Sequence, residues 1–350
     1  MVDARGCRIK SGMTGGEVRG LTRPPRVTPA MTTTPKRVVI TGASSGIGAA
    51  TAEAFARKGA RLVLAARDEA ALDKIAALCR EAGGDALVVP TDVTDADAVK
   101  RLATRAREHL GGIDLWFSDV GVGVVGKFHE VPIEAHRQVI EANLIGHLHD
   151  AHAVLPIFLE QGRGTFVNMI SIGGYLAAPW AVAYAASKFG LRGMSQALRG
   201  ELSLHPHIHI CDVYPTFVDT PAISHAGNYT GGATSVPPGV LDPRSVAKAV
   251  VRLADHPRNT TAIGAPALFM KLSEFLTPNV TAAIMNGFMG TYFRRADPAP
   301  ETDGNLFEPP ADDGEIAGGF RDPNRGRKAA VVGLGLAALI GGALLARRRA

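Results

Sequence analysis

Three residues of this 350-residue chain could together carry acid–base chemistry. Tyr184 and Lys188 stand in the motif Tyr-Ala-Ala-Ser-Lys, so their side chains share one face if the segment is helical. A free phenol has a pKa of about 10, and a nearby ammonium group favours the phenolate and lowers that value. Ser171 ends an apolar run 13 residues earlier, where its hydroxyl could bind a substrate oxygen. The three side chains predict a site in which Tyr184 exchanges a proton with the substrate.

A glycine-rich turn, Thr-Gly-Ala-Ser-Ser-Gly-Ile-Gly at 41–48, separates an apolar run from a segment with helical spacing. Gly42 can make the tight turn, Gly46 lets backbone amides approach a pyrophosphate, and Gly48 permits close packing of helix on sheet. The free N–H groups and the dipole at the start of a helix attract anions. The turn therefore predicts a site for the phosphates of a dinucleotide.

The next apolar run ends in Ala65-Ala66-Arg67. Sheets that bind NAD place an acid about here, where it accepts a hydrogen bond from the ribose 2′-hydroxyl. Ala66 occupies that position, and the guanidinium of Arg67 suits a 2′-phosphate through forked hydrogen bonds, although Asp68 could offset part of its charge. The pattern favours NADP(H) over NAD(H).

The elements that must position these residues alternate between strand and helix. Strands that are almost wholly apolar indicate a parallel sheet covered on both faces. Right-handed crossovers then make it a doubly wound, Rossmann-type α/β fold. The predicted strands are 37–40, 61–64, 86–89, 113–117, 165–170 and 208–213, and the predicted helices are 47–58, 69–82, one opening at 94 or 95, 131–160 and 181–204.

Together these motifs make the chain similar to the short-chain dehydrogenases/reductases of the compact single-domain type, from about residue 36 to about residue 294. The resemblance implies that Tyr184 is the general acid/base, that Lys188 lowers its pKa and holds the nicotinamide ribose, and that Ser171 polarises the reacting oxygen. It also implies that the backbone of Asn143 holds a water of a proton relay. The cofactor site predicted from the motifs and the resemblance comprises Thr41, Gly42, Ser44, Ser45, Gly46, Ile47, Gly48, Arg67, Asp92, Val93, Gly121, Tyr184, Lys188, Pro215, Val218 and Thr220.

Two positions depart from the family pattern. The family's Asn-Asn-Ala-Gly after the fourth strand appears as Ser-Asp-Val-Gly at 118–121, which keeps Gly121 but puts Asp119 in place of an amide. An amide both donates and accepts hydrogen bonds, so the local hydrogen bonding must differ. The family's Pro-Gly appears as Pro215-Thr216, and Thr216 adds bulk beside the predicted substrate pocket.

Charge and composition exclude two other classes of site. Residues 1–30 carry a net charge of +4 and 325–350 carry +6, which leaves −5 on 31–324 and gives no basic footprint for nucleic acid. The three cysteines are far apart in the sequence and are predicted to be free thiols. The histidines lack metal-ligand spacing. We therefore predict neither a nucleic-acid partner nor a metal.

The two ends of the chain lie outside the predicted catalytic domain at 36–295. Residues 1–35 are either a disordered or transit-like arm, or an over-extended start to a chain that begins at Met31. Residues 296–328 are rich in Pro, Gly and Asp and predict a flexible linker. The uncharged stretch 329–346 would form a C-terminal apolar helix of about 27 Å, long enough for a membrane anchor. The predicted protein is thus membrane-anchored, with its catalytic domain in the cytoplasm.

The predicted function is hydride transfer between NADP(H) and a carbonyl or alcohol, with a lipophilic substrate favoured by the membrane anchor. Two alternatives remain open: a non-catalytic NADP(H)-binding interaction protein, and a related epimerase or dehydratase that retains its cofactor. By resemblance alone, we expect a homodimer or tetramer formed through the helices at 131–160 and 181–204.

Overall fold

A computed structural model describes residues 35–236, 239–264, 276–310 and 314–321. Strands and helices alternate along them, which confirms the predicted α/β fold. The strands are β1 (Arg37–Thr41), β2 (Arg61–Ala65), β3 (Asp85–Val88), β4 (Leu115–Ser118), β5 (Val124–Val125), β6 (Gly164–Met169), β7 (Ile208–Pro215), β8 (Gly227–Asn228) and β9 (Thr260–Ile263). The α-helices are α1 (Gly46–Ala56), α2 (Glu69–Glu81), α3 (Ala96–Leu110), α4 (Ile133–Ile140), α5 (Gly146–Gln161), α6 (Val182–Glu201), α7 (Pro243–Leu253) and α8 (Pro278–Arg295).

Seven of these strands form one parallel sheet in the order β3-β2-β1-β4-β6-β7-β9. The direction of winding reverses between β1 and β4, whose last residues, Thr41 and Ser118, lie side by side in register. A crevice opens at such a reversal because the loops that leave the two strands diverge to opposite faces of the sheet. The loops after β1 and β4 therefore border the predicted cofactor site.

Helices bury both faces of this sheet. Val38 and Ile40 of β1 pack into a cluster with α1, α2 and α7, whereas Val39, between them, packs with α3 and α5 on the other face. Successive side chains of a strand point to opposite faces, so a strand covered on both sides is apolar at every position. This packing explains the continuous apolar runs of the sequence.

The region predicted as one helix over 131–160 is interrupted. Helix α4 ends at Ile140, one turn of π-helix follows over Glu141–Ile145, and α5 begins at Gly146. A π-helical turn holds one extra residue, and such turns occur frequently at functional sites. Asn143 lies within this turn and is fully buried, so the interruption turns its side chain inward.

The composition predicts a flexible linker over 296–328, yet residues 296–310 and 314–321 pack on the domain. Leu306 is fully buried and lies in a cluster with Val122, Val124 and Val139. Thr302 exchanges two backbone hydrogen bonds with Asn228 of β8. A single leucine in a polar stretch leaves no periodic pattern, which is why composition alone suggested a linker.

The prediction of a membrane-anchored protein is contradicted: across the residues described above, no helix combines the length and the apolar character needed to cross a bilayer. The stretch 329–346 on which that prediction rested lies outside the described residues, as do residues 1–34 of the predicted N-terminal extension.

Candidate active site

Three predicted catalytic side chains meet at the carboxyl edge of the sheet. Ser171 follows β6, and its hydroxyl hydrogen-bonds the phenol of Tyr184 on α6. Lys188 lies one turn further along α6, with Nζ 5.6 Å from the centroid of the Tyr184 ring. The helix thus presents both side chains on one face, as residues four apart require.

The backbone at Ser171 is strained. Its φ of 100° is rare for a residue with a side chain, and strain of this kind costs about 1–3 kcal/mol and persists only where the surroundings impose it. Its Oγ accepts a hydrogen bond from the N–H of Gly173 at 3.2 Å. A Cβ on Gly173 would lie 3.0 Å from Cε1 of Tyr184, so this glycine leaves room for the phenol ring. The turn after β6 therefore holds the serine hydroxyl against the tyrosine.

Lys188 is only 3% exposed, and its Nζ donates a hydrogen bond to the carbonyl of Met169 at 3.1 Å. Burial disfavours the charged ammonium and lowers the pKa of Lys188 to about 8, against a smaller, opposing effect of the negative charge on Asp119. The lysine can therefore release and recover its proton much closer to neutral pH than an exposed lysine can.

The pKa of Tyr184 differs from the expectation. Burial raises it, the hydrogen bond with Ser171 lowers it, and the negative charge of Asp119 raises it. The expected lowering of this pKa rested on the neighbouring ammonium of Lys188. Burial, which removes the phenolate from water, has the largest effect on the pKa of Tyr184.

Asp119 is a charged member of this site whose role the sequence did not predict. Its carboxylate accepts a hydrogen bond from the backbone N–H of Gly48, and it is close enough to Lys188 for each group to influence the pKa of the other. Burial raises the pKa of Asp119 well above its usual range. The signal in the sequence that could have indicated this role is the acid itself, which replaces the family's amide two residues before Gly121.

Asn143 holds the loop after β4 against α6. Its Oδ1 accepts a hydrogen bond from the N–H of Val122 at 2.8 Å, and its Nδ2 donates to the carbonyl of the same residue at 2.9 Å. Nδ2 also lies 3.3 Å from Oγ of Ser187, whose hydroxyl donates to the carbonyl of Tyr184. The side chain of Asn143 thus positions backbone on both sides of the site, while the predicted water relay through its own backbone stays a prediction.

The glycine turn fits a bound phosphate. Gly42 has a φ of 79°, and a Cβ there would lie 2.9 Å from the carbonyl of Asp119. A Cβ on Gly48 would overlap the carbonyl oxygen of Gly42. Ser45 precedes α1 in an extended conformation without a side-chain capping hydrogen bond. Backbone amides at the start of α1 are therefore the groups that could hold an anion.

Two residues predicted to line the cofactor have contacts inside the core, and their role at the cofactor stays a prediction. Thr41 is fully buried, and its hydroxyl donates to the carboxylate of Asp150 at 2.6 Å inside the core, so it supports the turn from below. Val93 is buried and packs against Gly146 at the start of α5. Asp92 stays exposed, where its carboxylate accepts hydrogen bonds from the N–H and the hydroxyl of Thr94.

The other predicted cofactor residues lie at the carboxyl ends of the strands or in the segments that follow them. The position of each is described relative to another predicted residue or to the end of a strand. A Cβ on Gly121 would lie 3.9 Å from Nζ of Lys188, and one on Gly46 would lie 3.2 Å from the side chain of Thr220. The rest are Ser44 in the turn, Ile47 packed on the core, Arg67 beyond β2, Pro215 at the end of β7 and Val218 after it.

A cavity of about 560 Å³ lies elsewhere, between α8 and residues 233–235. Phe288, Tyr292 and Arg295 line it, and no predicted catalytic residue does. The candidate catalytic residues therefore lie at the sheet edge and not in this cavity. The described part of the chain contains no group of three His, Cys, Asp or Glu side chains that could hold a metal ion.

Comparison with known sequences adds three findings. The sequence profile of the short chain dehydrogenase family matches residues 36–228. The chain is 31% identical over 255 residues to YxnA of Bacillus subtilis strain 168, an uncharacterized oxidoreductase, with 72% of each chain covered. It is 33% identical to the uncharacterized oxidoreductase SSP0419 of Staphylococcus saprophyticus, covering 63% of this chain and 92% of the relative.

Among solved structures, the fold is similar to that of an alcohol dehydrogenase from the archaeon Thermococcus sibiricus, complexed with 5-hydroxy-NADP. The TM-score is 0.57 at 28% sequence identity, and the match covers 65% of this chain and 96% of the archaeal one. The likeness thus spans nearly the whole of that enzyme.

Proposed function

The chain belongs to the short-chain dehydrogenase/reductase family of oxidoreductases, and we propose that it uses NADP(H) to interconvert a carbonyl compound and an alcohol. The observation that carries this proposal is the meeting of Ser171, Tyr184 and Lys188 at the carboxyl edge of the sheet. The glycine turn that could hold the cofactor's phosphates leaves β1 at the same edge.

NADP(H) is the proposed cofactor. The amides at the start of α1 suit its pyrophosphate, and Arg67 offers a guanidinium to the 2′-phosphate. The NADP analogue bound to the archaeal alcohol dehydrogenase supports the same choice. When bound, the reduced nicotinamide supplies the hydride that a carbonyl carbon accepts.

In the reducing direction, the hydroxyl of Ser171 binds the carbonyl oxygen of the substrate and polarises it. Tyr184 donates its phenolic proton to that oxygen as negative charge develops there. The tyrosine then needs a proton from solvent, and Lys188, with a pKa of about 8, can exchange one near neutral pH. In the oxidising direction, Tyr184 takes the proton from the alcohol.

The substrate is proposed at the level of its reacting group, a carbonyl or its alcohol. The preference for a lipophilic substrate rested on the membrane anchor and is not part of this proposal. Assembly through α4, α5 and α6 into a dimer or tetramer stays a prediction.

The test is Tyr184→Phe, which removes the hydroxyl and keeps the ring. With a panel of aldehydes, ketones and alcohols followed by NADPH absorbance, kcat should fall by about 10²–10⁴, the usual contribution of a general acid. The Kd for NADPH should change little. Tyr292→Phe is the matched control, since the Tyr292 hydroxyl bonds Ser235 and the carbonyl of Ala233, away from the catalytic residues.

Unchanged turnover in Tyr184→Phe would refute the assignment of the acid. Substrate conversion without net consumption of NADPH would favour the epimerase or dehydratase alternative. NADPH binding by the unmutated protein without turnover of any compound in the panel would favour the non-catalytic alternative.

A further inference from the structure

Two described segments beyond α8, residues 303–310 and 314–321, run along the proposed cofactor crevice, and we call them the strap. One leucine, Leu306, anchors it in the cluster beside the loop after β4. The side-chain amide of Gln138 on α4 donates to the carbonyl of Leu306 at 3.0 Å. The first segment of the strap is therefore attached to α4 and to the loop after β4.

The first segment of the strap engages the guanidinium proposed to bind the 2′-phosphate. Nη2 of Arg67 donates to the carbonyl of Asn305 at 2.8 Å, and Nη1 donates to that of Phe307 at 3.0 Å. A third carbonyl, of Glu308, lies 3.5 Å from Nη2. These acceptors are backbone oxygens more than 235 residues away in the sequence, so the contact belongs to the tertiary fold.

The second segment engages the phosphate-binding turn itself. The N–H of Gly46 donates to the carbonyl of Glu315 at 3.0 Å. Gly314 is buried against the turn with a φ of 71°, and a Cβ there would lie 2.5 Å from the carbonyl oxygen of Ser44. The strap thus uses one of the first-turn amides of α1, the groups that make a helix N-terminus an anion site.

The second segment of the strap also contacts the loop after β7, which holds the predicted cofactor residues Val218 and Thr220. Both carboxylate oxygens of the buried Asp219 accept backbone hydrogen bonds, from Phe320 at 2.8 Å and from Arg321 at 3.2 Å. A Cβ on Gly318 would lie 2.5 Å from the carbonyl oxygen of Thr220. Contacts therefore extend from the 2′-phosphate position to the loop after β7.

We propose that the strap is an autoinhibitory segment that competes with the dinucleotide for its site. This inference rests on the proposed function and adds its regulation. A backbone N–H that donates to Glu315 is not free for a phosphate oxygen, and the same holds for the Arg67 donors that the strap uses. Because the strap is part of the same chain, its effective concentration at the site is high, although a carbonyl is a weaker partner than a phosphate. NADP(H) binding requires the strap to leave.

The test compares two substitutions in the full-length chain, Gly314→Val and Gly319→Val. Both glycines have left-handed φ values, 71° and 78°, so both variants carry the same kind of backbone strain. A side chain at 314 meets the carbonyl of Ser44, whereas nothing lies within 4 Å of a Cβ at 319. We expect Gly314→Val to bind NADPH at least tenfold more tightly than Gly319→Val and the unmutated protein, measured by NADPH fluorescence titration.

Hydrogen–deuterium exchange of the unmutated protein provides a second measurement that does not depend on how a variant folds. Saturating NADPH should speed amide exchange in 303–310 and 314–321. Slower exchange there would show that the strap closes over a bound cofactor, and would overturn the competition. Equal NADPH affinity in the three proteins would overturn the strap proposal alone. Failure of all three to bind NADPH or NADH would overturn the proposed function together with it.

Discussion

Lys188 should reduce the stability of the fold at neutral pH. The pKa of this lysine falls from 10.5 to about 8 because the ammonium is buried. At about 1.4 kcal/mol per pKa unit, that difference costs about 3 kcal/mol of folding free energy wherever the lysine is charged in both states. Lys188→Met removes the charge and keeps an unbranched apolar chain, at the expense of the hydrogen bond to Met169, worth about 1 kcal/mol.

The variant should therefore be more stable than the unmutated protein at pH 7, by up to about 2 kcal/mol, and inactive. Loss of the ammonium also raises the pKa of Asp119 further, which opposes part of this gain. At high pH the stability difference between the variant and the unmutated protein changes in the opposite direction. Between pH 8 and 10.5 the unfolded chain binds a proton that the folded chain has released, so the stability of the unmutated protein rises with pH relative to the variant.

Urea unfolding at pH 7 and at pH 10 measures both effects as shifts of the midpoint at constant m-value. Lys100→Met, at an exposed position of α3, is the matched control and should change stability by less than about 0.5 kcal/mol at either pH. A Lys188→Met variant that is less stable than the unmutated protein at pH 7, or whose difference does not depend on pH, would refute this account of the buried ammonium.

Two further outcomes are expected. Arg67→Asp should raise the Kd for NADPH at least tenfold more than the Kd for NADH; the ratio is the relevant quantity, because loosening the strap affects both cofactors alike, and an equal change would contradict the role of Arg67. Asn143→Leu leaves the buried N–H and carbonyl of Val122 unpaired, so urea unfolding should show a loss of about 2–4 kcal/mol, and a loss below 1 kcal/mol would show that water replaces the amide.

The local sequence pattern was sufficient to predict the scaffold and part of the candidate site. The parallel sheet was predictable because strands buried on both faces must be apolar throughout. The glycine turn was predictable because its positions disfavour a side chain: Gly42 and Gly46 have positive φ values, and a Cβ on Gly48 would overlap the carbonyl oxygen of Gly42. The pairing of Tyr184 with Lys188 followed from helical spacing alone.

Other features depend on contacts that no local pattern records. The π-helical turn around Asn143 occurs together with hydrogen bonds to Val122, 21 residues away, which the periodicity of 131–160 does not record, so one continuous helix was predicted. The pKa of Tyr184 depends on how deeply the fold buries it, and spacing gave only the neighbouring lysine. Asp119 influences Lys188 because it follows β4, the neighbour of β6 in the sheet, and Lys188 hydrogen-bonds Met169 at the end of β6.

By itself, the sequence determined the α/β scaffold and predicted the phosphate-binding turn and the acid–base residues, because each is encoded by residues close together in the chain. Only the tertiary structure decided what lies across the proposed cofactor crevice. The strap reaches Arg67 and Gly46 through its backbone carbonyls, and every residue type carries such a carbonyl. The residue types of the strap therefore do not indicate this contact, and from composition alone the segment was predicted to be a linker.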